Sequence, residues 1–347
     1  MAEMKDIIAV RVDSPEQIGT GRLMRCLTLA ERMKKDSAEI HFICRDLPGS
    51  LHHLVFEQGF SLHLLPRHKA DMQLMNYAAW LTVPQTVDAE ETLVVLQQIA
   101  RVTRLIVDSY ALDISWESKM RPFTDEIFVI DDLANRRHDC DVLLDQNFYR
   151  VMEHRYDGLV PLHCKLLLGP RHALLRQEFY AVKKKLRPRG GHLRRILVFY
   201  GGSDLTRETE KAIHALIRLA LPSVDVDVIV GGSNSRQSDI AEFCSQYDFL
   251  HYYLQVDNIA EFMAKADLCL GAGGTTTWER CFLGLPAIVT AIAENQFEIC
   301  RDCAEAGLIY YLGKWDEVSE ADIAESVKVF SQPEKLRAFQ QDCRLQK

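Results

Sequence analysis

Residues 268–279 read Leu268-Cys269-Leu270-Gly271-Ala272-Gly273-Gly274-Thr275-Thr276-Thr277-Trp278-Glu279. A short apolar run passes into two adjacent glycines and a set of threonines, and then into a stretch with helical spacing. The pattern predicts a strand, a tight loop and the start of a helix over 276–283. Gly273 and Gly274 let the backbone come close to a ligand, and a helix N-terminus presents N–H groups to an anion. Thr275 and Thr276 add hydroxyl donors. Glu279 lies one turn further on and projects to the same side. A carboxylate there can accept two hydrogen bonds from a ribose diol, or it can close a capping box with Thr276.

The same strand–loop–helix grammar recurs on both sides of this stretch. In the first half, strand-like runs fall at Ile7–Asp13, Ile40–Cys44, Ser61–Leu65, Arg104–Asp108, Ile127–Asp131, Val142–Leu144 and Leu166–Gly169. In the second half they fall at Ile196–Tyr200, Val226–Val230, Leu250–Leu254, Leu268–Gly271, Ala287–Thr290 and Ile309–Leu312. Amphipathic stretches such as Gly21–Lys35, Leu93–Arg101, Thr206–Ala220 and Ile259–Ala266 lie between them. Short apolar strands separated by helices predict parallel sheets covered on both faces. Two such series predict an α/β chain of two doubly wound, Rossmann-like domains facing a cleft, with strand C-terminal ends and helix N-termini turned towards it. That arrangement suits a phosphate-bearing ligand.

The break between the halves is Lys183-Lys184-Lys185-Leu186-Arg187-Pro188-Arg189-Gly190-Gly191, which is basic, lacks apolar periodicity and reads as a linker. The expected bounds are a first domain over residues 1–182, a linker over 183–194, a second domain over 195–330, and a polar C-terminal helix within 331–347 that packs back on the junction.

Composition narrows the classes. The chain has 347 residues, 48% apolar and 26% charged, which excludes disorder, collagen and coiled coil. Lys plus Arg is 41 and Asp plus Glu is 49, so the net charge of −8 gives no general basic surface for nucleic acid or an anionic membrane. No apolar run approaches the roughly 18 residues of a membrane span. The ten cysteines are scattered singly, as expected of reduced thiols in a cytoplasmic protein rather than a disulfide framework. Cys300-x-x-Cys303 is a lone pair without zinc-finger spacing, and the twelve histidines form no metal-ligand pattern. Neither a metal, a cofactor nor an obligatory protein partner is implied.

Two further loops of the second half join Gly273 and Gly274 as candidates. Gly201-Gly202-Ser203-Asp204 follows a strand and precedes a helix, either to cradle a phosphate or as a tight turn. It has neither the Walker nor the Gly-x-Gly-x-x-Gly spacing. Asn295 and Gln296 follow another strand and offer amide donors to phosphate or sugar, or cap the helix beginning near Phe297. In the first half, Asp13 ends a strand, Gly19 and Gly21 bracket a loop, and Arg22 and Arg25 open the next helix. A cation in a first helical turn opposes the helix dipole, so Arg22 points to an anionic partner. Asp108 and Tyr110 end another strand, as do Asp131 and Asp132. There Asp can serve as a base and Tyr can hold a sugar, or the carboxylates cap the following segments.

In order, the stretches Arg11-Val12-Asp13-Ser14, Ile18-Gly19-Thr20-Gly21-Arg22-Leu23-Met24-Arg25-Cys26-Leu27, Val107-Asp108-Ser109-Tyr110, Ile130-Asp131-Asp132-Leu133-Ala134-Asn135-Arg136, Leu144-Asp145-Gln146-Asn147 and Leu168-Gly169-Pro170 with Ala173-Leu174-Leu175-Arg176 resemble those of the UDP-2,4-diacetamido-2,4,6-trideoxy-β-L-altropyranose hydrolases of pseudaminic acid synthesis, relatives of spore-coat polysaccharide biosynthesis proteins. The resemblance runs from about residue 11 to about residue 310. It implies a GT-B type fold, a first domain that handles the sugar and a second that holds UDP. It implies that Gly273, Gly274, Thr275, Thr276 and Glu279 grip the nucleotide, with Gly201, Gly202 and Ser203 near the diphosphate. Arg11, Gly19, Gly21, Arg25, Asp108, Asn295 and Gln296 then become substrate-binding candidates. The implied reaction transfers the sugar to water, leaving UDP and free sugar.

Two positions depart from the family pattern. Arg22 stands where the family carries the His thought to activate water, and a guanidinium stays protonated and cannot be a general base. His172 stands where the family usually has Tyr. Three readings follow: a hydrolase using another base, Asp13 or His172, with Tyr110 positioning the sugar; a UDP-sugar-binding protein without turnover; or a transferase with a sugar acceptor.

Overall fold

The computed structural model describes residues 6–14, 21–34, 38–69, 76–99 and 101–343. The chain divides into two compact units, one of Met1–Asn147 and Val151–Leu174, the other of Phe148–Arg150 and Leu175–Lys347.

The first unit runs β1 (Ile7–Val12), α1 (Gly21–Lys34), β2 (Glu39–Arg45), α2 (His53–Glu57), β3 (Ser61–Leu65), α3 (Gln85–Gln98), β4 (Val102–Asp108), α4 (Ile114–Met120), β5 (Thr124–Ile130), β6 (Val142–Asp145) and β7 (Lys165–Leu168). Its strands form one parallel sheet in the order β3-β2-β1-β4-β5-β6-β7. One face packs Leu23, Leu27, Phe42 and Phe128, and the other packs Leu96, Leu105, Trp116 and Ile127. Burial on both faces is why these strands read as near-continuous apolar runs.

The second unit runs α5 (Gln177–Lys185), β8 (Arg195–Phe199), α6 (Glu208–Leu219), β9 (Asp225–Val230), α7 (Gln237–Cys244), β10 (Leu250–Leu254), α8 (Ile259–Lys265), β11 (Leu268–Ala272), α9 (Thr276–Leu283), β12 (Ala287–Ala291), α10 (Phe297–Glu305), β13 (Tyr310–Lys314), α11 (Glu320–Phe330) and α12 (Pro333–Asp342). Its parallel sheet has the order β10-β9-β8-β11-β12-β13. In each sheet the strand order reverses beside the first strand, between β1 and β4 and between β8 and β11. Ligands of doubly wound sheets sit at such switch points, beyond the strand C-terminal ends.

The expected domain bounds differ from the structure in two ways. The units part at Leu174, not after residue 182, because α5 packs on α8 and α9 through buried Phe179 and a Tyr180–Phe282 ring contact. The basic stretch is not a free linker. Lys183–Lys185 is helical, and Arg189 donates to the carbonyls of Met263, Ala266, Leu283 and Gly284. One guanidinium thus serves the C-terminal ends of both α8 and α9, whose last carbonyls have no intrahelical donor. The C-terminal helix α12 puts Leu336 and Phe339, with Cys343 after it, into the core of its own unit and sets Arg337 against Gly191 at the end of the basic stretch.

Arg189→Ala is expected to destabilise the second unit by about 1–3 kcal/mol, since it orphans a set of carbonyls at once. Arg189→Lys should recover little of this, because an ammonium lacks the planar fork. Urea unfolding of the three proteins checks both statements.

Candidate functional site

In the first unit the switch point gathers charge. Arg11 sits inside the apolar strand β1 and is fully buried. Such a cation needs buried carboxylates. Its Nη1 donates to Asp13 Oδ1 at 2.6 Å, and Nε and Nη2 donate to Asp88 at 3.2 and 2.6 Å. Asp88 on α3 also accepts from Arg45 Nη2 at 2.7 Å and Trp116 Nε1 at 3.0 Å. Burial disfavours the Asp88 anion, but Arg11 and Arg45 hold its carboxyl below the usual range. Arg11 is therefore a positioning residue, not the substrate contact the sequence suggested. Its charge is spent within the fold, where it fixes Asp13. Asp13 Oδ1 also accepts the Arg45 N–H at 2.7 Å. Among the described residues no donor reaches Oδ2.

Val12 pairs with Asp108 across the β1–β4 ladder, which sets Asp13 beside the end of β4. From α1, Arg25 grips Asp108 with two bonds of 2.6 Å and reaches Asp132 at 3.3 Å. Arg22, in the first turn of α1, lies 3.8 Å from Asp108 Oδ1, with its guanidinium carbon 3.6 Å from the centre of the Tyr110 ring and 4.7 Å from that of Trp80. The Tyr110 hydroxyl donates to Asp132. Burial, then the Asp132 charge, push its ionisation far above that of a free phenol, so Tyr110 is a hydrogen-bonding group rather than a base. Tyr77 and Trp80, on the 3₁₀ turn Asn76–Leu81, complete an aromatic group with Tyr110 at 4.7–5.9 Å between ring centres. Gly21 opens α1, while Gly19 lies outside the described residues.

His172 does not join this group. It follows β7, four ladder steps from β1, or about 19 Å at a strand spacing of ~4.8 Å. Its Nε2 accepts from Arg171 Nε at 3.1 Å, and burial and the charges of Arg171 and Lys165 lower its pKa. Asp13 is left as the base candidate of the pair.

In the second unit the two glycine loops behave differently. Gly201 has φ of 94°, a conformation that favours glycine. A Cβ on Gly231 would lie 2.3–2.7 Å from backbone atoms of Gly202, so the β8 and β9 loops touch backbone to backbone. The helix that follows starts only at Glu208, and Asp204 accepts the N–H groups of Glu208 and Thr209 at 2.9 and 2.8 Å. This helix end is closed by the chain's own carboxylate, which corrects the expectation that it offers N–H groups to a phosphate. Ser203 remains half-buried in the loop before it.

The N-terminus of α9 has no such plug. Its N-cap is Thr275, with no side-chain cap bond, so the Thr276–Glu279 capping box is not formed. A Cβ at Gly273 would meet Cys300 Sγ at 2.1 Å, and one at Gly274 would face Gln296 Nε2 at 3.8 Å. Gln296 Oε1 accepts from Ile292 N at 3.0 Å and lies beside Gly273, while its amide nitrogen faces Gly274. Asn295 precedes it on the turn Glu294–Gln296. Beneath the loop lies buried Arg280, whose Nη2 donates to Ala272 O at 2.8 Å and Thr277 Oγ1 at 3.0 Å. The loop thus has a cation under it, an amide beside it and helix N–H groups along it, a set suited to a diphosphate. Glu279 Oε1 accepts from Arg176 at 3.1 and 3.3 Å, leaving Oε2 buried and without a donor among the described residues. Burial raises the Glu279 pKa and the Arg176 charge opposes that rise. Cys300 and Cys303 are buried free thiols with raised pKa values, Cys300 pushed up to about 12, as befits packing groups.

Sequence reasoning did not single out Asp88, Arg45, Tyr77, Trp80 or Arg280. Only Arg11 carried a usable signal, since an arginine inside an apolar strand calls for a distant carboxylate.

The fold is of the GT-B class. MurG of Acinetobacter baumannii superposes on 98% of this chain and 95% of its own with a TM-score of 0.64 at 11% identity. The Glycosyltransferase family 28 C-terminal domain matches residues 196–338, most of the second unit. The UDP-2,4-diacetamido-2,4,6-trideoxy-beta-L-altropyranose hydrolase of Campylobacter jejuni is 25% identical over 301 residues, covering 86% of this chain and 97% of its own length. An uncharacterized protein of Methanocaldococcus jannaschii is 31% identical over 140 residues, 39% of this chain and only 28% of that protein. The chain is a distant relative of the Campylobacter hydrolase and its family.

Proposed function

We propose that this chain hydrolyses a UDP-linked 2,4-diacetamido-2,4,6-trideoxy sugar to UDP and the free sugar. The observation that carries this reading is the pairing of two features at the two switch points. One is an acidic group in which no donor among the described residues reaches Asp13 Oδ2. The other is an uncapped helix start over a buried arginine, Gly273–Thr276 above Arg280.

The roles follow from the chemistry. Gly273, Gly274, Thr275, Thr276 and Gln296 hold the diphosphate, with Gly201, Gly202 and Ser203 beside it. Glu279 Oε2 accepts from the ribose, its partner oxygen fixed by Arg176. Asp108, Arg25 and Tyr110 hold the sugar against Tyr77 and Trp80. Asp13 takes a proton from water as the water oxygen bonds to the anomeric carbon. The bond from that carbon to the phosphate oxygen breaks, and UDP departs with the electron pair. Arg22 supplies positive charge and takes no proton.

A binding protein without turnover is the second reading, favoured by the Arg22 cation itself, which occupies the family's His position. Release of UDP from the altropyranose substrate by the natural chain and by Arg22→His separates the two. Turnover by the natural chain supports hydrolysis with Asp13 as base. Turnover by the His form alone makes the natural chain a binder.

A further inference from the structure

The carboxyl of Asp145, at the end of β6, has no part in the mechanism above, yet it shares the Tyr156 hydroxyl with Asp131, while its other oxygen accepts the Asn147 N–H and Arg155 Nε lies 3.4 Å from Oδ2. The Tyr156 hydroxyl lies 3.1 Å from Asp131 Oδ2 and 3.1 Å from Asp145 Oδ2. A hydroxyl has one proton to give. Asp131 is built as the anion: it accepts the N–H groups of Leu133 and Ala134 and a 2.7 Å bond from Arg136, and these with His138 hold its carboxyl down against burial. Tyr156 therefore donates to Asp131, and the short approach to Asp145 needs a proton from the Asp145 side. We propose that Asp145 is a neutral carboxylic acid in the working protein, donating to Tyr156 and thereby positioning the Asp131–Asp132 corner on which Tyr110 and Arg25 rest.

The surroundings fit this state. Asp145 is buried, and facing it are Asp131 and Asp132 from the end of β5, Arg155 and Tyr156 from the turn after β6, and uncharged Leu168 across the β7 ladder. Arg136 and His138 lie beyond, on Asp131, and Arg25 reaches the corner through Asp132. Burial first, then the Asp132 charge, push the Asp145 carboxyl up to about 8, with the Asn147 N–H and Arg155 opposing. Loss of the proton would set an anion against Asp131 and Asp132 and remove the donor to Tyr156. Asp145 is thus a positioning residue and an alkaline switch for the proposed hydrolysis, on which its kinetic test rests.

The test compares the natural chain with Asp145→Asn, which keeps an N–H donor towards Tyr156 and cannot ionise. UDP release by the natural chain is expected to fall as pH rises through about 8. In Asp145→Asn that limb is expected to vanish or to move up by at least about one pH unit. An unchanged limb in the variant overturns the proposal. Two readouts need no activity. The infrared carbonyl band of a protonated carboxylic acid is expected near neutral pH in the natural chain and lost in the variant; its absence from the natural chain overturns the proposal. A carboxyl raised in the folded state stabilises fully below its unfolded value of ~3.9, and that contribution is lost as pH rises to the folded value. The natural chain should therefore lose stability relative to Asp145→Asn between about pH 4 and pH 8 and run parallel to it above. If neither protein releases UDP at any pH, the functional reading fails, while the band and the stability curve still decide the state of Asp145.

Discussion

Asp13→Asn should lower UDP release by about 10²–10⁴-fold, the usual worth of a positioned general base, and should also cost stability, because the buried Arg11 then keeps only Asp88 as a charged partner. The separation of effects comes from the two carboxylate oxygens. Oδ1 is structural, holding Arg11 and the Arg45 N–H. Asn keeps an acceptor there. Oδ2, which no donor reaches among the described residues, is the proposed proton acceptor, and an amide nitrogen in its place cannot take a proton. The expected signature is a fall in kcat with little change in KM, since the proton is taken only as the reaction proceeds. Equal loss from His172→Gln with none from Asp13→Asn would move the base to β7 and contradict the geometry of the sheet.

Gly273→Ala should remove UDP binding and destabilise the second unit together. Its Cβ would stand 2.1 Å from Sγ of Cys300, which is buried on α10, so one of the two must shift. Overpacking of this kind costs about 1–3 kcal/mol. The relief is an outward shift of the β11–α9 loop, away from Arg280 and Gln296, which undoes the anion-binding arrangement. Cys300→Ala in the same chain removes the clashing sulfur and should restore much of both stability and UDP affinity. Calorimetric titration with UDP and thermal unfolding of the single and double variants check this. A double variant no better than Gly273→Ala would show that the glycine is needed for the ligand's approach rather than for packing.

These expectations rest on parts of the molecule that differ in how far the chain itself reveals them. The inner strands were legible because they are apolar runs buried on both sheet faces, several of them ended by Gly or Asp. Ile7–Val12 and Leu268–Ala272 are examples. The helix α3 was legible only from Leu93 on, because its first turns, from Gln85, carry too few apolar side chains to show a period. The glycine loop before α9 was visible as a motif, but its support was not. Arg280 serves Ala272 from eight residues away, inside a helix where it resembles any surface cation. The charge network of the first unit lies further still from local reading. Arg11 meets Asp88 across 77 residues, and Arg25 meets Asp108 across 83. A buried cation announces that a carboxylate must come to it, but periodicity does not say from where. The Gly201–Asp204 loop could be read either way from the chain alone, and in the fold Asp204 caps its own helix.

The most direct test of the proposed hydrolysis is UDP release from UDP-2,4-diacetamido-2,4,6-trideoxy-β-L-altropyranose in ¹⁸O-enriched water with no sugar acceptor present. The expected result is one UDP and one free sugar per substrate consumed, with no label in the UDP, because water attacks carbon and the phosphate keeps its oxygen. UDP release that waits for an added acceptor would make the chain a transferase, and substrate bound but intact would make it a binder; either result contradicts hydrolysis.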